Sequence, residues 1–509
     1  MSPDRFPESA DLIVAGGGTA GAVVAGLAAE LTDAKVLLLE AGPDYGPSDS
    51  GRWPHDLLDA ATLAMVSHDW GYSGEIHGRT VDFNRARVIG GCSSHNGGAA
   101  VKGSRLDYDG WAAAGNPGWT TDELLPLFDS AWERFRVRPV GLEDLTPFQA
   151  ACTDAMVADG IPVVDDFNDL DEVLGVAPFP INIDEQGRRL NSAFAYLDPV
   201  RDRGNLTVVG DATVERLELD GSRVTGVVVR DGDGEVVIRC PQVVLSGGAY
   251  GSPAILMRSG VGPAESLEAA GIRIAHELPV GRNLHDQPTI EFDYAGKDEL
   301  RGAMERFADE RGWRPDEQAI GKYPSSECER GFDMHIFPMG GRDPYDTEKW
   351  RWTLAAACVN PRSRGELRLS GPRAGDRVLI DHGFLTDRGG SDLRRLVEAA
   401  IRIREQAAEP ALASLLGEES SPGPAVKGTE GLTEWVANAS VHYWHPVGTC
   451  KMGPADDETA VVDAEGKVHG FEGAYVADAS IMPWVMSGNT NMPTAVIGER
   501  MGRMLGERL

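Results

Sequence analysis

Three glycines and one acid are the residues best spaced for chemistry. Gly16, Gly18 and Gly21 make a Gly-x-Gly-x-x-Gly run, and Glu40 follows about twenty residues later. In such a run one glycine makes a tight turn, one admits backbone close to a pyrophosphate, and one lets a helix pack against a strand. A carboxylate at that distance accepts hydrogen bonds from a ribose diol and repels a 2′-phosphate. The pattern points to an adenine dinucleotide, NAD or FAD, without choosing between them. A second run, Arg85-Ala-Arg87-Val-Ile-Gly-Gly91-Cys-Ser-Ser-His95-Asn96-Gly-Gly98, demands close approach of backbone to something flat or phosphorylated. Late in the chain stand His442 and His445. In an extended segment, alternation puts His442 and Trp444 on one face and Tyr443 and His445 on the other, so the two histidines cannot share a target.

The elements that must hold these residues are visible as apolar runs. Asp11–Ala15 and Val36–Leu39 are of the buried parallel-strand type, and the Ala-rich segment between them is helical to about Leu31. Strand, glycine loop, helix, strand and acid in register make a βαβ unit. Leu206–Val209, Thr213–Leu217, Val224–Val229 and Glu235–Ile238 are expected as strands of a β-meander turned at Asp-Gly pairs. Phe332–Phe337, Trp352–Val359 and Gly365–Leu369 are expected in an antiparallel sheet, and Ser391–Glu405 as an amphipathic helix.

Length and composition set bounds. A chain of 509 residues exceeds one compact core, so two domains are expected. The net charge of −31 argues against nucleic acid and anionic membrane as partners. No apolar run approaches the roughly twenty residues of a membrane span, and the start has no apolar signal core. The six cysteines include no Cys-x-x-Cys pair, so neither a metal site nor a disulfide framework is expected, and a cytoplasmic location fits.

Taken together, the motifs resemble the glucose–methanol–choline (GMC) oxidoreductase family. Beyond the two glycine runs, Gly248-Ala-Tyr-Gly-Ser-Pro253 with Ser259-Gly-Val-Gly-Pro263 is similar to the family's second signature. So are His445-Pro-Val-Gly-Thr-Cys-Lys-Met-Gly453, Asp478-Ala-Ser-Ile-Met-Pro483 and Gly488-Asn-Thr-Asn491-Met-Pro-Thr494. These runs keep the family order over essentially the whole chain. The resemblance implies an α/β fold: a discontinuous, Rossmann-like FAD-binding domain (8–105, 190–290 and 440–509) and an α+β substrate domain (106–189 and 291–439) on an antiparallel sheet. It settles the cofactor as FAD and implies that Gly16, Gly18, Gly21, Glu40, Arg87, Gly91, His95, Asn96, the backbone of Val214 and Asp478 hold it.

The implied reaction is oxidation of a primary or secondary alcohol on a small polar molecule, with His445 as base and Asn491 as partner of the developing alkoxide. An imidazole titrates near neutral pH, and an amide offers both donor and acceptor without charge. Gly91–Asn96 is most similar to the choline-oxidase-like members, which implies a covalent bond from His95 to the flavin 8α-methyl and dioxygen as electron acceptor. Gly97 stands where those members carry serine, which loosens the tie to their substrate. A dehydrogenase with another acceptor and a redox-silent, hydroxynitrile-lyase-like flavoprotein stay open. So do the substrate, the oligomeric state and the roles of His335, His442 and Trp444.

Overall fold

The structure, a computed structural model, describes residues 5–61, 63–171, 174–231, 234–346 and 348–509. Its first sheet has five parallel strands in the order Ala474–Val476, Val243–Leu245, Leu12–Ala15, Val36–Leu39 and Leu206–Val209. Parallel sheets are covered on both faces, which accounts for runs with no polar alternation: Leu12 to Ala15 and Val36 to Leu39 are buried throughout. The helix Thr19–Leu31 follows the glycine run and is buried through Ala29. It packs along the last helix, Asn491–Arg508, where Gly498, Gly502 and Gly506 recur once per turn against Val23, Leu27 and Leu31.

The two glycine runs dock on each other. A Cβ on Gly21 would lie 1.9 Å from the Gly16 carbonyl oxygen, and one on Gly91 would lie 2.6 Å from Gly18 Cα. Gly16 also takes φ +108°, which side-chain-bearing residues rarely adopt.

Two expectations are corrected. Leu206–Val209 is not part of the meander; it pairs in parallel with Val36–Leu39, closing an edge that would otherwise be open. The meander keeps Thr213–Asp220, Arg223–Asp231 and Gly234–Arg239. Its first turn is the expected Asp220-Gly221 with Gly221 at φ +62°, while the middle of the second Asp-Gly turn, 232–233, lies outside the described residues. Likewise Glu366–Leu369 does not extend the large antiparallel sheet. It joins Val378–Asp381, Ser73–Ile76 and Arg79–Asp82 in a four-stranded sheet, where its alternation of buried leucines with a partly exposed Glu366 and an exposed Arg368 suits a half-covered surface.

The large sheet runs Leu416–Ser421, Pro288–Gly296, Trp350–Cys358, Met334–Arg342, Ala319–Tyr323, Gly175–Pro178, with Val441–His442 paired to Pro288 and Thr289. Helices Ser391–Ala407 and Pro147–Ala158 bury one face through Ile290, Phe292, Ile336 and Ala356. Phe337, Ala355, Ala357 and Tyr443 form a separate cluster. The architecture is thus α/β, with a Rossmann-like sheet and a second, antiparallel sheet. No helix among the described residues is long and apolar enough to cross a membrane.

Gly21→Ala should therefore lower stability by about 1–3 kcal/mol, the usual range for overpacking a filled interior. A thermal melt against the parent protein checks this.

Candidate active site

A cavity of about 490 Å³ opens at the carboxyl ends of the parallel strands, marked by Ala15, Leu39 and Ser246. Open α/β sheets place their ligands at such a crevice. Three helices, Thr19–Leu31, Gly248–Arg258 and Asn491–Arg508, begin on its wall. Their unpaired N–H groups and positive dipole ends make this wall suited to a pyrophosphate.

Most of the cofactor residues named from sequence line this cavity: Gly16, Gly18, Glu40, Gly91, His95, Asn96, Val214 and Asp478. Gly17 N–H and Gly42 N–H each donate to Glu40 at 2.8 Å, one to each carboxylate oxygen. Burial pushes the Glu40 carboxyl up to about 7, and those N–H groups and Arg87 offset only part of that. Asp478 accepts from Gly248 N–H at 2.8 Å, the Ser252 hydroxyl at 2.6 Å and Ser480 N–H at 2.8 Å, which ties the second helix start to the wall. Asn96 accepts from Gly98 N–H at 3.0 Å within its own loop. Gly21 sits behind the wall, in the packing of loop on helix. Arg87 is turned outward: it is exposed, donates to the Ala41 carbonyl at 3.1 Å and lies over the Trp70 ring. Arg85 enters the cavity in its place and donates to the Trp444 carbonyl at 2.9 Å.

At the other end stands His445, held by a short antiparallel crossing. Pro288 pairs with His442 and His285 bridges Val447, so Tyr443 to Pro446 bow out between the two pairings. Trp444 takes φ +61° in the bow, so strict alternation fails and Tyr443, Trp444 and His445 all line the cavity. Asp286 fills the space behind and accepts from the main-chain N–H of His445 at 3.0 Å. His445 Nδ1 is 2.7 Å from Gln287 Oε1, and its Nε2 is 3.4 Å from the amide nitrogen of Asn489. Asn491 lies in the same cavity, but its carbonyl oxygen accepts from the Thr19 hydroxyl at 3.2 Å. The amide that meets His445 is Asn489's.

The other histidines are engaged elsewhere. His442 reaches the Asp82 carbonyl at 3.0 Å and receives Trp444 N–H at 3.2 Å. His335 is fully buried against Phe332 and lies off the cavity wall. Burial, with Arg85, His335 and His442 adding to it, holds the His445 imidazole well below its ordinary value, so it is neutral at pH 7. Burial also pushes Asp286 up to about 7 against the main-chain N–H groups and Arg85 that favour its anion. Glu317, on the cavity wall beside Gly97, is pushed up to about 8 by burial and by Asp316.

Asn489 Oδ1, Asn491 Nδ2, Trp444 Nε1 and the Tyr443 hydroxyl are buried and have no hydrogen-bond partner among the described residues. Such a set suits a flat heteroaromatic group carrying donors and acceptors of its own. With the helix starts at Thr19 and Gly248 by the glycine loops and a third at Asn491 within this set, the cavity fits FAD.

Two family models described as GMC oxidoreductase match residues 10–289 and 361–498. The chain belongs to the GMC oxidoreductase family. As a GMC oxidoreductase it is an FAD-dependent enzyme acting on CH–OH donors. It is similar to the oxygen-dependent choline dehydrogenase of Stenotrophomonas maltophilia, 33% identical over 98% of this chain and 95% of the relative. It is 33% identical to the Serratia proteamaculans protein of that name, over 98% of this chain and 96% of the relative. Among solved structures it resembles pyridoxine 4-oxidase from Mesorbium loti, with 28% identity and a TM-score of 0.84 over 97% of this chain and 99% of that one. Formate oxidase of Aspergillus oryzae shares the GMC fold at 22% identity, with a TM-score of 0.85 over 99% of both chains.

The residues that sequence reading passed over are Arg85, Asp286, Gln287, Glu317 and Asn489. Two had a local signal: Arg85 opens the second glycine run, and Asn489 stands two residues before Asn491 in the last motif.

The raised Asp286 carboxyl makes stability pH-dependent. Its folded value lies above its unfolded 3.8, so folding takes up a proton between about pH 4 and about pH 7. Stability should fall as pH rises through that window, by up to about 4 kcal/mol from this group. Asp286→Asn should flatten that part of the decline, as read from urea unfolding at the two ends of the window.

Proposed function

We propose that this GMC oxidoreductase oxidises a primary or secondary alcohol group on a small polar molecule to the carbonyl, with His445 as base. The observation that carries the reading is the meeting, in one buried cavity, of a neutral imidazole and an amide on its Nε2. A neutral His445 needs no prior deprotonation to accept the hydroxyl proton at Nε2. The Asn489 amide nitrogen sits where it can donate to the oxygen losing that proton, the role sequence reasoning assigns to Asn491. Asn491, whose amide nitrogen has no partner among the described residues, is a second donor at the same wall. When bound, FAD supplies the hydride acceptor, its N5. Trp444, Tyr443 and Glu317 bound the space left for the substrate, which favours a molecule with both a flat or apolar face and a hydrogen-bonding group.

His95 is proposed as the covalent attachment point. It is buried on the cavity wall in a loop pinned by Gly91 against Gly18, as a fixed nucleophile needs to be. Dioxygen is the proposed acceptor, in line with relatives named as oxygen-dependent and with a neighbour named as an oxidase.

The test is anaerobic titration of the flavin-loaded enzyme with a panel of small alcohols, including choline and pyridoxine. At least one should bleach the absorbance near roughly 450 nm, and admitted air should restore it. No bleaching by any alcohol would favour the redox-silent lyase reading; bleaching without return in air would favour another acceptor. His445→Ala should keep its flavin and lose about 10²–10⁴-fold in kcat. His95→Ala should release its flavin to the supernatant on acid precipitation, where the parent protein keeps it in the pellet.

A further inference from the structure

Gln287 has both ends of its amide committed. Its Nε2 lies 2.8 Å from the Met486 carbonyl, 3.3 Å from that of Gly488 and 3.4 Å from that of Val359. Three carbonyl oxygens around one atom identify it as the nitrogen, because an oxygen there would face three acceptors with no proton between them. The other end, 2.7 Å from His445 Nδ1, is then the oxygen, and an oxygen acceptor requires a proton on Nδ1. A neutral imidazole carries one proton, so Nε2 is left with its lone pair. That lone pair faces the Asn489 amide nitrogen and the cavity.

We propose that Gln287 is the positioning residue that sets the tautomer of His445, holding the imidazole as Nδ1–H so that Nε2 is the proton-accepting atom. This rests on the reading of His445 as the base. Gln287 does not line the cavity; it acts through the ring. Its three carbonyl partners come from the 486–488 segment, which leads into Asn489, and from the end of the strand Trp350–Cys358, at Val359. One side chain therefore couples ring orientation, tautomer and the Asn489 segment. Neighbouring histidines have their tautomers set by main chain in the same manner. His442 meets the Asp82 carbonyl with Nε2 and Trp444 N–H with Nδ1, and His285 meets the Asn283 carbonyl with Nδ1 and Val485 N–H with Nε2. His445 alone of these three uses a side-chain amide, which leaves its second nitrogen to the cavity.

The test is nitrogen NMR of ¹⁵N-histidine-labelled, flavin-loaded enzyme, with the His445 signals assigned by their loss in His445→Ala. The parent protein should show His445 protonated on Nδ1 and bare on Nε2. In Gln287→Met, of similar length but without the acceptor, the proton should redistribute toward Nε2. There kcat should fall about 10- to 100-fold while KM changes less than about threefold and flavin content is unchanged. Gln287→Glu, whose buried carboxyl would hold its proton toward the Met486 carbonyl and keep a bare oxygen for Nδ1–H, should restore the tautomer and at least about a tenth of kcat. An Nε2–H signal in the parent overturns the proposal, and so does Gln287→Met with parental tautomer and kcat. If neither variant holds flavin, the parent's own tautomer decides. A fully active His445→Ala would instead remove the base reading and leave the tautomer to stand or fall on the spectrum.

Discussion

The site depends on main chain approaching main chain more closely than any Cβ allows. Gly21 rests on the Gly16 carbonyl and Gly91 on Gly18, so two loops distant in sequence close against each other without side chains between them. That closure brings bare N–H groups to the surface of the crevice, and the starts of three helices add the positive ends of their dipoles. Glycine costs conformational entropy on folding. The cost is offset by the apolar strands behind the loop and by the fit of the last helix along the first.

At the opposite end the governing effect is desolvation. Burial outweighs every hydrogen bond offered to Asp286, as it does for Glu40 at the glycine end, and pushes both carboxyls up to about 7. The same burial, aided by Arg85, keeps His445 uncharged. Arg85 acts on both, stabilising the Asp286 anion and opposing charge on His445. Its guanidinium is steered by the Trp444 carbonyl, at a residue whose positive φ turns that carbonyl out of a regular strand. A strained main-chain position thus helps to set the electrostatics beside the base.

What could be read from sequence was whatever is written contiguously. The βαβ unit, Glu40, the Gly91–Asn96 loop and His445 each stand in a local pattern, and the structure brings all of them to one cavity. The misses share a cause. Arg85 and Arg87 are equivalent in the motif, and which one turns inward is decided by a carbonyl 359 positions away. Asn489 and Asn491 are likewise two residues apart, and the choice falls to Thr19 and His445, which arrive from opposite ends of the chain. Leu206–Val209 reads as a strand under any topology; only the free edge of Val36–Leu39 tells which sheet takes it. Gln287 had no motif at all, because its meaning lies in the crossing of 285–288 with 442–447.

The seam between the helices Thr19–Leu31 and Asn491–Arg508 has a consequence for biosynthesis. Its glycines at 498, 502 and 506 receive Val23, Leu27 and Leu31, side chains made long before them, and Asn491 and Thr494 form part of the nucleotide crevice. The first helix therefore waits, the face it turns to this seam uncovered, until Asn491–Arg508 has been made. A complete cofactor crevice therefore exists only once Asn491 and Thr494 have been made, and until then the nascent chain carries apolar surface that the last helix will cover.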